Sequence, residues 1–565
     1  MFPATAQPTP ASQSSAPRHV LAWATLLLAS AAVFLLNPSY PLIEPDETRY
    51  AQIALNMIET GDWVTPMLDG QPYLDKPPLM YWCTALSLRF MGENEFAARF
   101  PSTLSAIMTI VVVYLLGSKI VGRRAAWVAA IALALCGGFV MAGRFVILDA
   151  MLTFFTTLCL LSSYLAVRET KFSWSWWALA AFACALGVLT KGPVALVLCA
   201  PPLVASGWLC ADHTRPRVLQ WAVFIVPMLL ICTPWYIAVA LRNAEFMDYF
   251  FWEHNFKRFT QGSNHREPFW FYIPVVLLGM FPTSLLMPLV GMFLASRSQR
   301  VGAHRTKSLG FLFCSAAWTL LFFSLSSCKL PTYILPAIPM LCLISGTLVD
   351  RVLCGAELTV RLDCLMKTFP QRTILTVLIV WMGLIVADCW IAGAVTWVTI
   401  VAASLSVAGT IATIWLWKNE ISAKPVAWAA TAFVGVIVLG FASAKLLATA
   451  SYARSMHVQM ATLVEKYPER LVVFFGEKPH AVRMSFPEMK YEFFPMEQRQ
   501  QFVEFMARHQ SAIVVTADEH IALTREAIAS SHRLVMTTDH EHLYIAEPIN
   551  DSVPRVARDE NGERR

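Results

Sequence analysis

Residues 44–82 read EPDETRYAQIALNMIETGDWVTPMLDGQPYLDKPPLMYW and follow directly on an apolar run at residues 20–36. The stretch sets Asp46, Glu47, Arg49, Asp62, Asp75 and Lys76 at the mouth of a transmembrane bundle. Ionisable groups beside hydrocarbon are costly, so a cluster of them there marks a functional site. The acidic pair opens an amphipathic helix, with Ile53, Ala54, Met57 and Ile58 at helical spacing. Gly61 then stops the helix, and Asp75-Lys76-Pro77-Pro78 makes a rigid extended turn.

The rest of the chain supports a membrane setting. Of its 565 residues, 56% are hydrophobic and only 15% charged, well below the usual quarter for a soluble protein. Mean hydropathy is +0.53, and apolar runs near membrane-spanning length recur. The net charge of +6 therefore says little about nucleic acid; its distribution among loops is what matters. The 13 cysteines, such as Cys136, Cys159, Cys184 and Cys232, sit almost entirely in or near apolar runs and read as small buried hydrophobes. Residues 1–17 are rich in Pro, Ser, Ala and Thr and read as disordered. Ala29, Ser30 and Ala31 would suit signal cleavage, but the apolar run continues through Val33 to Leu36, which favours an uncleaved anchor.

About thirteen spans are predicted, near 20–42, 99–117, 124–143, 147–167, 174–190, 193–210, 219–241, 270–295, 309–327, 332–350, 373–392, 394–416 and 426–447. Segment 78–91 is too short to cross and reads as interfacial or re-entrant. Lys and Arg crowd one set of alternate loops, which is assigned to the cytoplasm. The long loop 43–98, the loop 242–269 and everything after about 448 fall on the other side. Residues 452–565 change character: RLVVFFG, YEFFP, SAIVVTA, RLVMTT and HLYIAE read as strands, and 496–509 and 517–530 as amphipathic helices. The expected organisation is a cytoplasmic tail over 1–19, a transmembrane domain over 20–447 and a C-terminal α/β periplasmic domain over 448–565.

A second set of charges lies at the predicted outer ends of the spans. Arg144 and Asp149 occur in GRFVILDAM, Lys191 in LTKGP and Lys329 in CKLPTYILPAIP, and Glu253, His254, Lys257, Arg258, His265, Arg266 and Glu267 crowd one loop. Basic groups at one membrane face suit a phosphate held at headgroup level. Carboxylates among them can orient an attacking oxygen or steady a cationic sugar. Blander alternatives stay open. Lys191 and Lys329 could snorkel from helix ends, Arg144 and Asp149 could form a structural ion pair, and Asp46 with Glu47 could cap a helix. Aromatic segments at 248–252 and 269–274 suit the interface, as an ordinary aromatic belt also would.

Together, the acidic dipeptide, DETRYAQIA, GDW, DKPP, LTKGP and KLPTYILPAIP resemble the aminoarabinose lipid A transferase family. That family lies in the superfamily of protein O-mannosyltransferase-like, polyprenol-dependent glycosyltransferases. The resemblance covers most of the chain and implies a GT-C type fold of about thirteen helices with a soluble periplasmic domain. It implies a metal-independent inverting transfer, without cofactor, from undecaprenyl-phosphate carrying 4-amino-4-deoxy-L-arabinose to a phosphate of lipid A at the outer face of the bacterial inner membrane. The partners expected are the lipid-linked donor, lipid A and membrane lipids, with the chain a monomer and no nucleic acid bound. Asp46 and Asp149 match the family's acidic positions, and with Lys76 they are the catalytic candidates. Arg49, Lys76, Tyr73, Arg144, Lys191, Lys329 and Tyr333 are candidates for the donor phosphate and lipid. Glu47, Asp75, His254, Arg258 and His265 are candidates for the acceptor or sugar. Asp75 departs from the family's usual Glu. No metal is required, and an incidental divalent ion at Asp75, His254 and His265 is the alternative left open. Competing functions are a transferase with another sugar or a protein acceptor, and a transporter. Against the transporter, the charges gather at one face and no inverted repeat is visible.

Overall fold

The computed structural model describes residues 16–35, 39–43, 45–169, 171–209, 215–262, 265–281, 283–297 and 299–353. Beyond these it describes isolated positions and the stretches 470–476, 489–509, 512–516, 520–536 and 543–548. The chain divides into two compact units. One comprises Met1–Ser39 with Ile53–Thr449, the other Tyr40–Gln52 with Ala450–Arg565.

The first unit is helical. Among the described residues, Glu95–Ile120, Leu148–Val167, Val218–Arg242 and Pro331–Arg351 are each long and apolar enough to cross a membrane. The expected short segment after the double proline is a 13-residue helix, Leu79–Met91. Two expected spans are not continuous. Arg123–Ala134 bends by 68° into Gly137–Gly143, and Phe269–Gly279 bends by 110° into Thr283–Ala295. The two breaks dock on each other. The Gly137 N–H donates to the Phe281 carbonyl at 3.2 Å, and the Thr283 hydroxyl donates to the Ala132 carbonyl at 3.1 Å. Backbone groups released by a broken helix in an apolar setting need such partners. The expected spans at 373–392, 394–416 and 426–447 lie outside the continuously described residues.

Small residues allow the closest helix contact. A Cβ on Gly346 would lie 2.2 Å from the Ala125 carbonyl oxygen and 2.9 Å from the Ala129 nitrogen. Ile338–Leu348 and Arg123–Ala134 therefore pack backbone to backbone. Cys136, Cys159, Cys184 and Cys232 are buried and unbridged, as expected of small apolar residues.

In the second unit, five strands form one sheet in the order β4-β3-β5-β7-β6: β3 Leu471–Phe475, β4 Tyr491–Phe494, β5 Ala512–Val515, β6 His532–Met536 and β7 Leu543–Pro548. (The hairpin strands Met67–Leu68 and Gln71–Pro72 of the first unit are β1 and β2.) β3 runs parallel to β4 and β5, whereas β7 is antiparallel to β5 and β6. Val473 and Phe475 pack with Phe502 and Ile528 on one face, while Val472 and Phe474 pack with Met460 and Val482 on the other. Burial on both faces explains why LVVFF and AIVV are apolar without alternation. The expected helices appear as Arg499–Ala507 and Ile521–Ile528.

Candidate active site

Asp149 lies in the first turn of Leu148–Val167, and Lys191 is the last residue of Trp174–Lys191. A short connection makes these helices an antiparallel hairpin, so the N-terminus of one meets the C-terminus of the other. Each charge suits its helix end, the acid at the positive pole and the lysine at the negative. Gly192 ends the second helix at φ +86° against the Phe250 ring, which leaves the Lys191 side chain at the helix edge. The Lys191 ammonium donates to Oδ1 of Asp149. The Thr332 hydroxyl donates to Oδ2 of the same carboxylate at 2.8 Å. The Lys191 ammonium also lies 4.2 Å from the centre of the Tyr333 ring. The alternative of an Asp149–Arg144 ion pair does not form: Arg144 is 2% exposed and donates to the Val33 carbonyl at 2.7 Å, tying it to the first helix.

A second group gathers round Lys76. The loop after Val218–Arg242 forms a π-helix, Asp248–Lys257, whose wide turn sets residues five apart on one face. The Tyr249 and His254 rings therefore lie side by side, tilted at 31° with centres 6.1 Å apart. The Tyr249 hydroxyl donates to Oδ1 of Asp75 at 2.5 Å, and Nδ1 of His254 lies 3.7 Å from the same oxygen. Nε2 of His254 meets the Lys76 ammonium. A protonated imidazole offers no acceptor to an ammonium, so this contact requires neutral His254 with its proton on Nδ1 toward Asp75. Burial, then the neighbouring Lys76, pushes His254 down to about 3. Burial likewise lowers Lys76 to about 7, with Lys191 and Arg258 adding repulsion. For Asp75, burial works against ionisation, but His254, Tyr249, Lys76 and Tyr73 together hold it below the usual carboxylate range.

The two groups are joined electrostatically. Lys76 feels Lys191, Arg258, Asp75 and Asp149, and Arg258 interacts with Tyr333, Cys328 and Asp75. With Lys76 protonated, the three cations Lys76, Lys191 and Arg258 face two carboxylates, Asp75 and Asp149, which leaves one positive charge in excess. A buried excess cation favours an anionic ligand.

Other candidates stand elsewhere. The Lys329 ammonium donates to the carbonyls of Glu267 and Ser326. His265, at φ +57°, gives its carbonyl to the Lys329 N–H. Asp62 pairs with Arg242 at 2.7 Å and accepts from the Val64 N–H at 2.9 Å. The incidental ion site at Asp75, His254 and His265 is not assembled, because among the described residues no three His, Cys, Asp or Glu groups come together to hold a metal. Asp46, Glu47 and Arg49 fall in the second unit. There Asp46 and Arg49 pair at 3.6 Å, and Glu47, 1% exposed, accepts from the Ile43 N–H at 2.9 Å. Glu47 thus ties the start of the helix Asp46–Thr60 back to the chain that enters it. Sequence reasoning missed Thr332 and Tyr249. Thr332 sits inside KLPTY, and Tyr249 lies in an aromatic segment that reads as interfacial or as an ordinary aromatic belt.

The family of dolichyl-phosphate-mannose-protein mannosyltransferases matches residues 24–250. An undecaprenyl phosphate-alpha-4-amino-4-deoxy-L-arabinose arabinosyl transferase of Serratia proteamaculans is 35% identical over 331 residues, 57% of this chain and 58% of that protein. Its namesake from Pseudomonas aeruginosa is 35% identical over 349 residues, 60% of this chain and 61% of that protein. Both relatives are transferases of the kind that the motifs resemble. The matched region spans about 58% to 61% of the length of these relatives. A crystal structure of ArnT from Cupriavidus metallidurans bound to undecaprenyl phosphate superposes with a TM-score of 0.73 at 22% identity, over 94% of this chain and 98% of that one. That likeness shows the fold: a polytopic α-helical membrane protein with a C-terminal α/β region.

Proposed function

We propose that this chain transfers 4-amino-4-deoxy-L-arabinose from an undecaprenyl-phosphate donor to a phosphate of lipid A, at the periplasmic face of the inner membrane. The observation that carries this reading is the excess positive charge where Lys76, Lys191 and Arg258 meet. The 34–35% identity to arabinosyl transferases supports the choice of sugar and acceptor. The reading includes about thirteen spans, an N-terminus inside, the site and the domain after residue 448 outside, and a monomeric chain.

In the proposed reaction, an acceptor phosphate oxygen attacks C1 of the sugar from the face opposite the donor phosphate. The C1–O bond breaks, its electron pair leaves with undecaprenyl phosphate, and the configuration inverts. Lys76, Arg258 and Lys191, with the Tyr333 hydroxyl, hold the leaving phosphate as its charge grows. The acceptor is already ionised at neutral pH, so no strong general base is needed. Asp149, held through both oxygens, orients Lys191 and the reacting groups. Asp46 keeps the role of orienting acid that the family resemblance implies. A sugar amine added to lipid A offsets its negative charge, which weakens binding of cationic peptides such as polymyxin.

A second reading, transfer to a protein hydroxyl, is favoured by the match to the protein mannosyltransferase family. Mass spectrometry of lipid A from cells with and without the chain separates the two. An added aminopentose on a lipid A phosphate supports the main reading. Unchanged lipid A with altered glycoproteins supports the second, and changed uptake with neither points to transport.

A further inference from the structure

An open polar cavity of about 650 Å³ lies in the first unit, and Arg266, Glu267, Leu325, Ser327 and Lys329 are on its wall. None of Lys76, Lys191, His254 and Arg258 lines it. Lys329 is 5% exposed, and its ammonium donates to the Glu267 carbonyl at 2.9 Å and the Ser326 carbonyl at 2.5 Å. An ammonium has three donors, so one remains. Arg266 donates through Nε to the Gly262 carbonyl and through Nη2 to the Gln261 carbonyl at 2.6 Å, which leaves three of its five N–H groups. Among the described residues no carboxylate pairs with either cation. Carbonyl dipoles aim the two cations without neutralising them, and a buried ammonium without a counter-charge is costly. Glu267 brings one negative charge to the wall against the two positive ones.

Exposed apolar side chains occur on the wall and close to it in sequence. Leu325 on the wall is 60% exposed, as are Phe269 and Trp270 just beyond Glu267. Exposed aromatic and aliphatic groups beside cations suit a headgroup whose acyl chains lie alongside.

We propose that this cavity holds the phosphate of an anionic lipid headgroup through Lys329 and Arg266, separately from the donor phosphate at Lys76. In the transferase reading, on which the identity of that lipid rests, it anchors the phosphorylated acceptor. Lys329 is then an acceptor-side group and not a donor-side one.

The test is equilibrium binding to the purified full chain in detergent, using lipid A, its dephosphorylated form, inorganic phosphate and undecaprenyl phosphate. Lipid A is expected to bind, the dephosphorylated form at least about tenfold more weakly, as loss of charge-assisted hydrogen bonds requires. Arg266→Gln is expected to weaken lipid A binding by about tenfold and Glu267→Gln to tighten it severalfold. Both should bind undecaprenyl phosphate like the unaltered chain, whereas Lys76→Ala should lose undecaprenyl phosphate and keep lipid A. Binding of lipid A that resists millimolar phosphate supports the headgroup as source; displacement by phosphate at equal concentration supports free phosphate. Equal binding of the dephosphorylated form, or lipid A affinities unmoved in both Arg266→Gln and Glu267→Gln, overturns the proposal. Should undecaprenyl phosphate fail to bind while lipid A behaves as stated, the donor reading falls and the cavity stands.

Discussion

Thr332 donates its hydroxyl to Oδ2 of Asp149 at 2.8 Å, across 183 residues of sequence. With Lys191 on Oδ1, it fixes the carboxylate in one orientation. Removing the hydroxyl leaves a buried oxygen short of a donor, at a cost of about 1–3 kcal/mol. Thr332→Val should therefore lower kcat for sugar transfer by about tenfold or more, with little change in the KM for donor. Thr332→Ser should restore most of it. Steady-state kinetics on both variants checks the pair, and a Val variant with full kcat refutes the positioning role.

Lys76 carries the pH dependence of donor binding. Burial, with Lys191 and Arg258 nearby, lowers its ammonium to about 7, while a sugar–phosphate diester keeps a single charge across the neutral range. Below pH 7 the lysine is already charged, and the donor binds without taking up a proton. Above pH 7 binding must take one up, so affinity should fall by up to about tenfold per pH unit. Lys76→Arg, if it binds at all, should show a flat profile because arginine stays charged. Lys76→Ala should insert normally and lose transfer by about a hundredfold. Dissociation constants measured between pH 6 and 9, as round trial values, decide the matter.

The same depressed groups act on stability with a definite sign. An unfolded lysine titrates near 10.5 and an unfolded histidine near 6.5, against about 7 for Lys76 and about 3 for His254 in the fold. Between pH 3 and 6.5 the unfolded chain binds the proton that folded His254 refuses, so stability falls as pH drops through that window. Between pH 7 and 10.5 the Lys76 contribution rises with pH for the same reason. His254→Gln should flatten the acid side of a thermal-stability profile in detergent. An unchanged acid slope would place the sensitivity in other groups.

Local features were legible in the sequence, and long-range pairing was not. The acidic pair, the apolar spacing and Gly61 mark a helix that runs Asp46–Thr60, with Gly61 at φ +68° after it. Charge and apolar patterning likewise single out Asp75, Lys76, Asp149, Lys191, His254 and Arg258 as candidates. What joins them is tertiary. Asp149 meets Lys191 through a helix hairpin, and Tyr249 meets Asp75 through a π-helix that no spacing rule announces. Thr332 and Tyr249 are polar residues within apolar text and look ordinary there. Lys329 looks like Lys76 in sequence, yet its ammonium goes to carbonyls. Hydropathy also cannot see the bends within 124–143 and 270–295, because a break changes direction without changing composition.

Gly346 offers a test of the packing that supports the site. Its missing Cβ lets the backbone of Ile338–Leu348 lie against Ala125 and Ala129. A methyl group there would meet the Ala125 carbonyl oxygen at 2.2 Å, well inside any allowed contact, and backbone cannot swing aside as a flexible side chain can. The helices must separate, which forfeits close packing along their shared face at a cost of about 1–3 kcal/mol. Because the helix Ile338–Leu348 continues directly from the segment carrying Thr332 and Tyr333, the shift should reach the Asp149 clamp. Gly346→Ala should therefore lower the detergent melting temperature and reduce transfer together, whereas Gly291→Ala, where a Cβ meets nothing within 4 Å, should change neither. Equal melting temperatures for the two variants would show that the helix pair has slack at this crossing.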